Sequence, residues 1–183
     1  MVQARVSRAQ ASYQAAPFIV RPPIFRLEPE SVNQLRISAQ NINAPTDRES
    51  LFYLHASSVP ASSTPSEQNA VGKVHGATQF GVGSIIKLFY HPSGLPSTSA
   101  AAQENLQFSR ADGGIKAENA SPYFISFASL QVGGQNIRLD TPDKLTIAPF
   151  SHHVFKTSTT RGDVRWQTIN DEGAVNAFTQ TLP

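Results

Sequence analysis

One long alternating stretch, residues 70–92, constrains the fold of this chain more than any other feature. From Val74 to Ile86, every second residue falls on one side of an extended backbone, and most of these residues are apolar. The residues between them are mostly small or polar, so the opposite face offers little surface for packing. This pattern predicts a long strand at the edge of a β-sheet, where proteins normally guard against pairing with other chains. The strand either adds to a partner chain or is an ordinary sandwich strand with a Gly-rich approach, and the pattern alone favours the second.

Length and composition favour an all-β protein with two small domains. The 183 residues leave room for two β-sandwiches, each of roughly 90 to 100 residues. No stretch sustains the 3.6-residue apolar period of a long helix, and prolines and glycines interrupt the chain throughout. Because residues 92–101 have the Pro, Gly and Ser content of a linker, we predict domains at residues 1–92 and 93–183.

Short strands with turn residues between them are expected in both halves. In the first half they cover residues 2–7, 18–20, 34–38 and 51–54; in the second half they cover 106–108, 115–119, 123–132, 144–147, 153–155, 164–169 and 177–182. The sequences ADGG and GGQN are predicted hairpin turns. Pro22 and Pro23 predict an edge or loop path at their position, since proline cannot donate a ladder hydrogen bond.

Composition also argues against several function classes. The net charge is only +2 and the basic residues are dispersed, so we predict no nucleic-acid partner. The chain has no cysteine, which excludes disulfides and thiolate metal sites within it. No apolar run approaches the ~20 residues that span a bilayer, so we predict no membrane insertion. The first residues lack the apolar core of a secretory signal peptide.

The residues with catalytic chemistry do not form a recognisable active site. There is no Gly-x-Ser-x-Gly nucleophile motif. His152 and His153 are adjacent and point to opposite faces of a strand, so they cannot chelate a metal together. Asp47 and Glu49 would share one face of an extended segment, which suits paired carboxylates, but the pattern favours a buried or interfacial ion-pair cluster with Arg48 or a distant basic residue. We therefore predict a protein that is not an enzyme and that binds no metal or cofactor.

Lys87 differs from the other lysines because apolar residues flank it within the sequence IIKLFY. It falls on the strand face opposite to Ile86 and Leu88. A lysine in that position either extends its ammonium group to solvent or meets a fixed negative partner. On an edge strand, a natural negative partner is the carboxylate of another chain.

Six sequence segments together resemble one protein family, the PapD-like and FimC-like periplasmic chaperones of the chaperone-usher pathway, which assembles pili. The segments follow one another along nearly the whole chain: PPIFRLEP, LRIS, DRESLFYLH, IIKLFYHP, ENASPYFIS and TINDEGA. The resemblance implies two immunoglobulin-like β-sandwich domains in an L-shaped arrangement. It implies a non-enzymatic periplasmic chaperone that binds and stabilises pilus or fimbrial subunits and delivers them to an outer-membrane usher.

The resemblance also implies roles for individual residues. The donor strand, which completes the incomplete fold of a bound subunit, would use Val74, Thr78, Phe80 and Val82. Lys87 would anchor the subunit's C-terminal carboxylate. Glu49, His91 and Asp171 would form the interdomain link; His91 stands where the family has arginine, which would make this link weaker or pH-dependent.

Two further departures from the family pattern shape the expectations. The sequence matches the family from its third strand onward, so the first domain is expected to be N-terminally truncated and to lack the signal peptide and the anchoring arginine of the first strand. Arg5 and Arg8 lie outside that motif and are not expected to replace it. The connection from Ser57 to Val74 is long, as in the long-loop branch of the family, but that branch's cysteine pair is missing, so the subclass stays open.

Two alternative functions remain at this stage. The chain could be a fimbrial structural subunit or adhesin, although it has neither the cysteine pair nor the N-terminal donor arm that subunits usually carry. It could also be a non-functional remnant of a chaperone. In either case the exposed edge strand would allow self-association.

Overall fold

The computed structural model describes residues 1–58 and 81–182. Contacts divide the chain into two units. The first unit is Met1–Ala44 with Leu51–Tyr90, and the second is Pro45–Ser50 with His91–Pro183. The sequence predicted a division after residue 92, whereas the contacts place residues 91–92 and the separate segment 45–50 in the second unit.

The first unit is built from strands that form two sheets. Its described strands are β1 (Val2–Ser7), β2 (Phe18–Arg21), β3 (Ile24–Phe25), β4 (Arg36–Ala39), β5 (Ser50–Ser58) and β6 (Gly83–Tyr90). One sheet has the order β3-β1-β5-β6, and β2 pairs with β4 in the other. Among the described strands β6 is the last one of its sheet, which is the edge position that the alternating pattern predicts. The described strand begins at Gly83, and the predicted start at Val74 lies outside the described part of the chain, which omits residues 59–80.

Two prolines determine the path between β2 and β3. Pro22 and Pro23 separate the two strands, and the Pro23 carbonyl accepts a hydrogen bond from the Ala4 amide at 2.8 Å. Because proline has no amide hydrogen to donate, pairing on this side of β1 is short. The strand that follows, β3, occupies the other edge of the larger sheet, as expected for this segment.

The core of the first unit lies between its two sheets. The strand period of two directs Ala4 and Val6 of β1 and Phe52 of β5 inward, and all three are buried. The Phe52 ring meets the Phe18 ring edge-on, with 4.9 Å between ring centroids. The other side chains that are buried in this core or packed against it are Ala16, Val20, Leu35, Ile37, Leu54, Leu88 and Tyr90.

The second unit also contains two antiparallel sheets. Its elements are α1 (Ser99–Glu104), β7 (Gln107–Ala111), β8 (Gly114–Asn119), β9 (Ile125–Val132), β10 (Gln135–Asn136), α2 (Pro142–Leu145), β11 (Thr146–Ile147), β12 (Ser151–Lys156), β13 (Gly162–Ile169) and β14 (Val175–Leu182). One sheet has the order β10-β9-β13-β14, with β11 also paired to β9, and the other has the order β12-β8-β7. The GGQN sequence forms the predicted turn between β9 and β10, where Gly133 and Gly134 have φ values of +53° and +81°.

A continuous apolar core fills the space between the sheets of the second unit. Ile115, Ile125 and Val132 are fully buried, and burying an aliphatic side chain of this size stabilises a fold by roughly 1.5–3 kcal/mol. The single tryptophan, Trp166, lies between Phe108 and Phe178, with ring centroids at 4.9 and 5.6 Å. The predicted alternation of buried residues in the second half of the chain therefore produces an extensive core.

The Gln180 side chain connects the two sheets of the second unit. Its Oε1 accepts a hydrogen bond from the Phe108 amide at 3.0 Å, and its Nε2 donates to the Phe108 carbonyl at 2.9 Å. Gln180 lies on β14 and Phe108 lies on β7, each of which is the last strand of its sheet. The side-chain amide thus satisfies backbone groups of β7 in the way that a neighbouring strand would.

The structure corrects the sequence prediction at two short helices. The predicted linker contains α1, which begins where Thr98 Oγ1 accepts a hydrogen bond from the Ala101 amide, and its alanines favour a helix. The predicted strand at residues 144–147 is helical up to Leu145, and only Thr146–Ile147 is extended. Pro142 begins that helix with a fixed φ that suits a first turn.

Candidate functional site

The edge strand β6 presents several apolar side chains to solvent. Val82, just before the strand, is 76% exposed, Ile86 is 53% exposed and Ile85 is 46% exposed. Ser58 holds the beginning of this segment in place: its amide donates to the Val82 carbonyl at 2.7 Å, and its hydroxyl bonds with the Val82 amide and carbonyl at 3.1 and 3.0 Å. An ordered strand with exposed apolar residues is a suitable surface for another strand.

Lys87 lies within this strand, on the face that points away from the core of the first unit. Leu88 and Tyr90 pack against that core, so the alternation of the strand places Lys87 on the opposite face. Its side chain is half-buried, and burial lowers the pKa of Lys87. Partial removal of water strengthens the attraction between an ammonium group and an anion.

The described residues include only part of the predicted donor strand. Val82 is described, and its side chain is strongly exposed. Val74, Thr78 and Phe80 lie outside the described residues. Their role as donor residues therefore stays a prediction.

The predicted link residues Glu49 and His91 are brought together in the second unit. Glu49 is buried, and its Oε2 accepts a hydrogen bond from the Phe124 amide at 2.7 Å. Its Oε1 lies 3.4 Å from Nδ1 of His91, whose ring packs against Tyr123 with centroids 5.3 Å apart. Burial raises the pKa of Glu49 more than the Phe124 amide and His91 lower it.

Asp171 lies near this pair without bonding to it directly. The Asp171 carboxylate accepts a hydrogen bond from the Ser99 hydroxyl at 3.2 Å. Its negative charge contributes to the raised pKa of Glu49. Glu49, His91 and Asp171 thus form a small cluster in the second unit, with Glu49 at its centre.

The interpretation of Asp47 and Glu49 as paired carboxylates is wrong. The chain bends at residues 46–48 instead of running extended, so the two side chains do not share a strand face. Asp47 instead accepts two hydrogen bonds from the Arg48 guanidinium, at 2.7 and 3.1 Å. The Arg48 guanidinium also lies over the Phe150 ring, 4.9 Å from its centroid. Asp47 and Arg48 form an exposed ion pair rather than the buried or interfacial cluster that was predicted, and Glu49 is separate from it.

Sequence reasoning missed the strongest partner of Glu49. This partner is the backbone amide of Phe124, and a backbone group has no sequence signal of its own. A partial signal existed, since Phe124 lies inside the segment ENASPYFIS that carries the family resemblance.

The described residues offer no metal site. Within residues 1–58 and 81–182, no group of three or more His, Cys, Asp or Glu side chains could hold a metal ion. No helix in the same residues is long and apolar enough to cross a membrane.

Both halves of the chain match models of known protein families. Residues 1–96 match the family model described as "Pili and flagellar-assembly chaperone, PapD N-terminal domain". Residues 101–180 match the model described as "Pili assembly chaperone PapD, C-terminal domain". The chain belongs to the PapD family of pilus assembly chaperones. The family resemblance seen in the sequence is thereby confirmed, and so is the all-β fold with immunoglobulin-like domains.

Individual relatives agree with this assignment. The chain is 32% identical over 180 residues to the chaperone protein FocC of Escherichia coli, a match that covers 96% of this chain and 73% of FocC. The crystal structure of the E. coli chaperone DraB matches with a TM-score of 0.81 at 30% identity, covering 99% of this chain and 82% of DraB. A structure of the Salmonella enterica SafA pilin in complex with the SafB chaperone matches with a TM-score of 0.80 at 30% identity, again over 99% and 82% of the two chains.

Proposed function

We propose that this PapD-family chaperone binds pilus subunits by strand addition along β6 and delivers them to an outer-membrane usher in the periplasm, without catalysing a reaction. The observation that carries the proposal is the position of β6 at the edge of its sheet. Ile85 and Ile86 within β6, and Val82 just before it, are exposed. The same surface would be a liability in a protein that did not pair with another chain.

Strand addition uses two kinds of contact at this edge. Backbone groups along the outer side of β6 pair with a strand of the subunit, which supplies affinity with little dependence on sequence. Side chains at alternate positions then enter apolar pockets of the subunit. Each fully buried Val or Ile would contribute roughly 1.5–3 kcal/mol before the cost of ordering the complex. Val82 and the predicted Val74, Thr78 and Phe80 are the residues assigned to this role.

Lys87 is the proposed anchor for the subunit's C-terminal carboxylate. It belongs to the same strand, and it lies on the face that the core of the first unit does not use. A half-buried ammonium group binds a carboxylate more strongly than a fully solvated one does, because water screens the attraction less. The anchor would therefore set the position of the subunit strand along β6.

Glu49, His91 and Asp171 would have a supporting role. Glu49 fixes segment 45–50 to the second unit through the Phe124 amide and His91. Because segment 45–50 leads directly into β5, this cluster would hold the beginning of the strand that pairs with β6. The SafA–SafB complex supports the general mode of action, since it contains a related chaperone bound to a pilin.

The experiment is recovery of a soluble chaperone–subunit complex after co-expression in the periplasm with the cognate pilus subunit. With Lys87→Ala, we expect at least a tenfold loss of recovered complex, because loss of a charge-assisted contact of about 1.5–3 kcal/mol corresponds to a tenfold or larger change in affinity. The matched control is Lys156→Ala, which removes an exposed lysine from a strand of the second unit. We expect that control to recover as much complex as the unmodified chain.

A modified subunit tests the carboxylate itself. Extra residues added at the subunit's C-terminus should reduce recovery with the unmodified chaperone and should cancel the difference between that chaperone and the Lys87→Ala variant. Equal recovery with Lys87→Ala and with the unmodified chain, using the native subunit, would remove the anchor role. Equal recovery with Val82→Ser and Ile86→Ser would contradict strand addition at β6.

A further inference from the structure

A cleft of about 450 Å³ with both polar and apolar walls lies in the first unit, and the beginning of β6 forms one of these walls. Three neighbouring strands contribute residues to it from the face of the sheet opposite the core, and the loop after β1 adds a wall. Its walls include Gln3, Arg5, Gln10, Tyr13, His55 and Ile85. Among the described residues that line this cleft there is no aspartate or glutamate, so the described wall carries a positive charge.

Arg5 carries this charge, and two contacts fix the orientation of its guanidinium group. Its Nη1 donates to the Ser12 carbonyl at 3.0 Å, and its guanidinium carbon lies 4.7 Å from the centroid of the Tyr13 ring. These two contacts use one N–H group and one face of the guanidinium plane, which leaves further N–H donors for a ligand. Within residues 1–58 and 81–182, no salt bridge involves Arg5.

His55 lies opposite Arg5 in the strand pairing and does not add to the charge. The two residues are partners in the register of β1 and β5. His55 is buried, and its Nε2 lies 2.7 Å from the Ser7 hydroxyl. Burial, followed by the charge of Arg5, lowers the pKa of His55, so the imidazole is neutral near pH 7. Among the described residues of the lining, Arg5 is therefore the cation that a ligand in this cleft would meet.

We propose that the cleft binds a carboxylate of a partner polypeptide, with Arg5 as the binding residue. A guanidinium group presents paired N–H donors that match the two oxygens of a carboxylate. The amides of Gln3 and Gln10 supply further hydrogen-bonding groups, and Ile85 supplies an apolar wall for the rest of the ligand. This site goes beyond the proposed anchor, because Arg5 lies on β1 and Lys87 lies on β6, with β5 between the two strands.

The test is a nuclear magnetic resonance titration of the ¹⁵N-labelled full chain with small probes at constant ionic strength. N-acetylglycine represents a chain terminus, and N-acetylglutamic acid α-amide represents an acidic side chain. We expect saturable shifts at Arg5, Tyr13 and His55 with at least one of these probes, and the probe that binds identifies the source of the carboxylate. N-acetylglutamine α-amide, which is neutral, should cause no saturable shift.

Variants identify the residue responsible. Arg5→Gln should weaken binding at least tenfold, and Arg5→Lys should retain charge but bind more weakly than arginine because the paired donors are lost. The matched control is Arg36→Gln, which removes an exposed strand arginine of the same unit and should leave binding unchanged. The spectrum of Arg5→Lys shows whether the sheet is intact when Arg5 is replaced.

Several results would overturn the proposal: no saturation with either carboxylate, equal binding of the neutral probe, or unchanged binding in Arg5→Gln. Binding of inorganic phosphate without binding of either carboxylate would also overturn it. Because no pilus subunit takes part in this titration, its failure would leave the roles of β6 and Lys87 unaffected.

Discussion

Replacement of Asn119 by alanine should destabilise the second unit strongly. Asn119 is buried, and its Nδ2 donates to the carbonyls of Tyr123 and Ala148 at 2.7 and 2.9 Å. Its Oδ1 accepts hydrogen bonds from the amide and the hydroxyl of Ser121 at 3.0 and 2.6 Å. One side chain therefore joins the end of β8 to the turn before β9 and to the segment before β12.

The expected loss follows from these contacts. The Ala148 carbonyl keeps a hydrogen bond from the Ser151 hydroxyl, so the main penalty comes from the Tyr123 carbonyl and from the Ser121 groups. An unsatisfied buried acceptor costs about 1–3 kcal/mol and each lost hydrogen bond about 1 kcal/mol, which gives a decrease of about 3 kcal/mol in the free energy of unfolding. A domain of this size has a total stability of roughly 5–15 kcal/mol, so the effect would be large.

Urea unfolding followed by the fluorescence of Trp166 measures this change, since the single tryptophan is buried in the same unit. Asn119→Asp should lower stability at least as much as Asn119→Ala does. Aspartate keeps the shape of the side chain but replaces the Nδ2 donor with an oxygen that faces the carbonyls of Tyr123 and Ala148. The matched control is Asn105→Ala, which removes an exposed hydrogen bond to Ala101 and should change stability by less than about 1 kcal/mol. A loss below about 0.5 kcal/mol for Asn119→Ala, or a stable Asn119→Asp, would refute the argument.

Two further predictions use the same fluorescence assay. A Cβ atom at Gly114 would overlap the Phe155 carbonyl oxygen, which belongs to the backbone of the paired strand β12 and cannot move aside. Gly114→Ala should therefore lower the free energy of unfolding by about 3 kcal/mol. The control Ser109→Ala, on the adjacent strand, should change it little. Equal free energies of unfolding for these two variants would contradict the close packing of Gly114 against β12. Burial raises the pKa of Glu49 in the folded protein above its value in the unfolded chain. The contribution of Glu49 to stability is therefore present at pH values below the unfolded-state pKa, and it is lost as pH rises through the higher folded-state pKa. The stability of Glu49→Gln relative to the unmodified chain should therefore improve between pH 4 and pH 7, and a relative loss over that range would show that the charged form is the favoured one.

The sequence predicted most strands because their alternation of buried and exposed residues can be read directly. Residues 2–7 were predicted as a strand and form β1 over the same residues. The helix α1 was not predicted, because a short helix depends on local capping by Thr98 and on burial of Ala102 and Gln103 in the second unit. Gln103 accepts hydrogen bonds from Thr168 and Asn176, and contacts at that sequence separation cannot be read from composition.

The candidate site could be predicted only in part. Lys87 was singled out by its apolar neighbours on a predicted edge strand, and Glu49 and His91 by segments that resemble a family; their roles stay predictions. The pairing of Glu49 with a backbone amide could not be found, since it depends on how segment 45–50 meets the beginning of β9. The Arg5 cleft could not be found either, because its wall forms only when the loop after β1 folds back and brings Tyr13 over Arg5.

The two units differ in how the edges of their described sheets are covered. This difference is the reason that the first unit, and not the second, is proposed to pair with a partner. In the second unit, the Gln180 side chain of β14 satisfies the amide and the carbonyl of Phe108 on β7, so each of these two last strands is partly covered by the other. In the described part of the first unit, β6 ends its sheet with Val82 and Ile86 mostly exposed, and Ser58 holds the beginning of the strand in place instead of covering its edge. An ordered edge strand favours addition of another strand, because its backbone groups are already in position and little further ordering is required of the chaperone. Among the described strands, the edges of β7 and β14 thus partly cover each other, whereas β6, which carries Lys87, is the last described strand of its sheet.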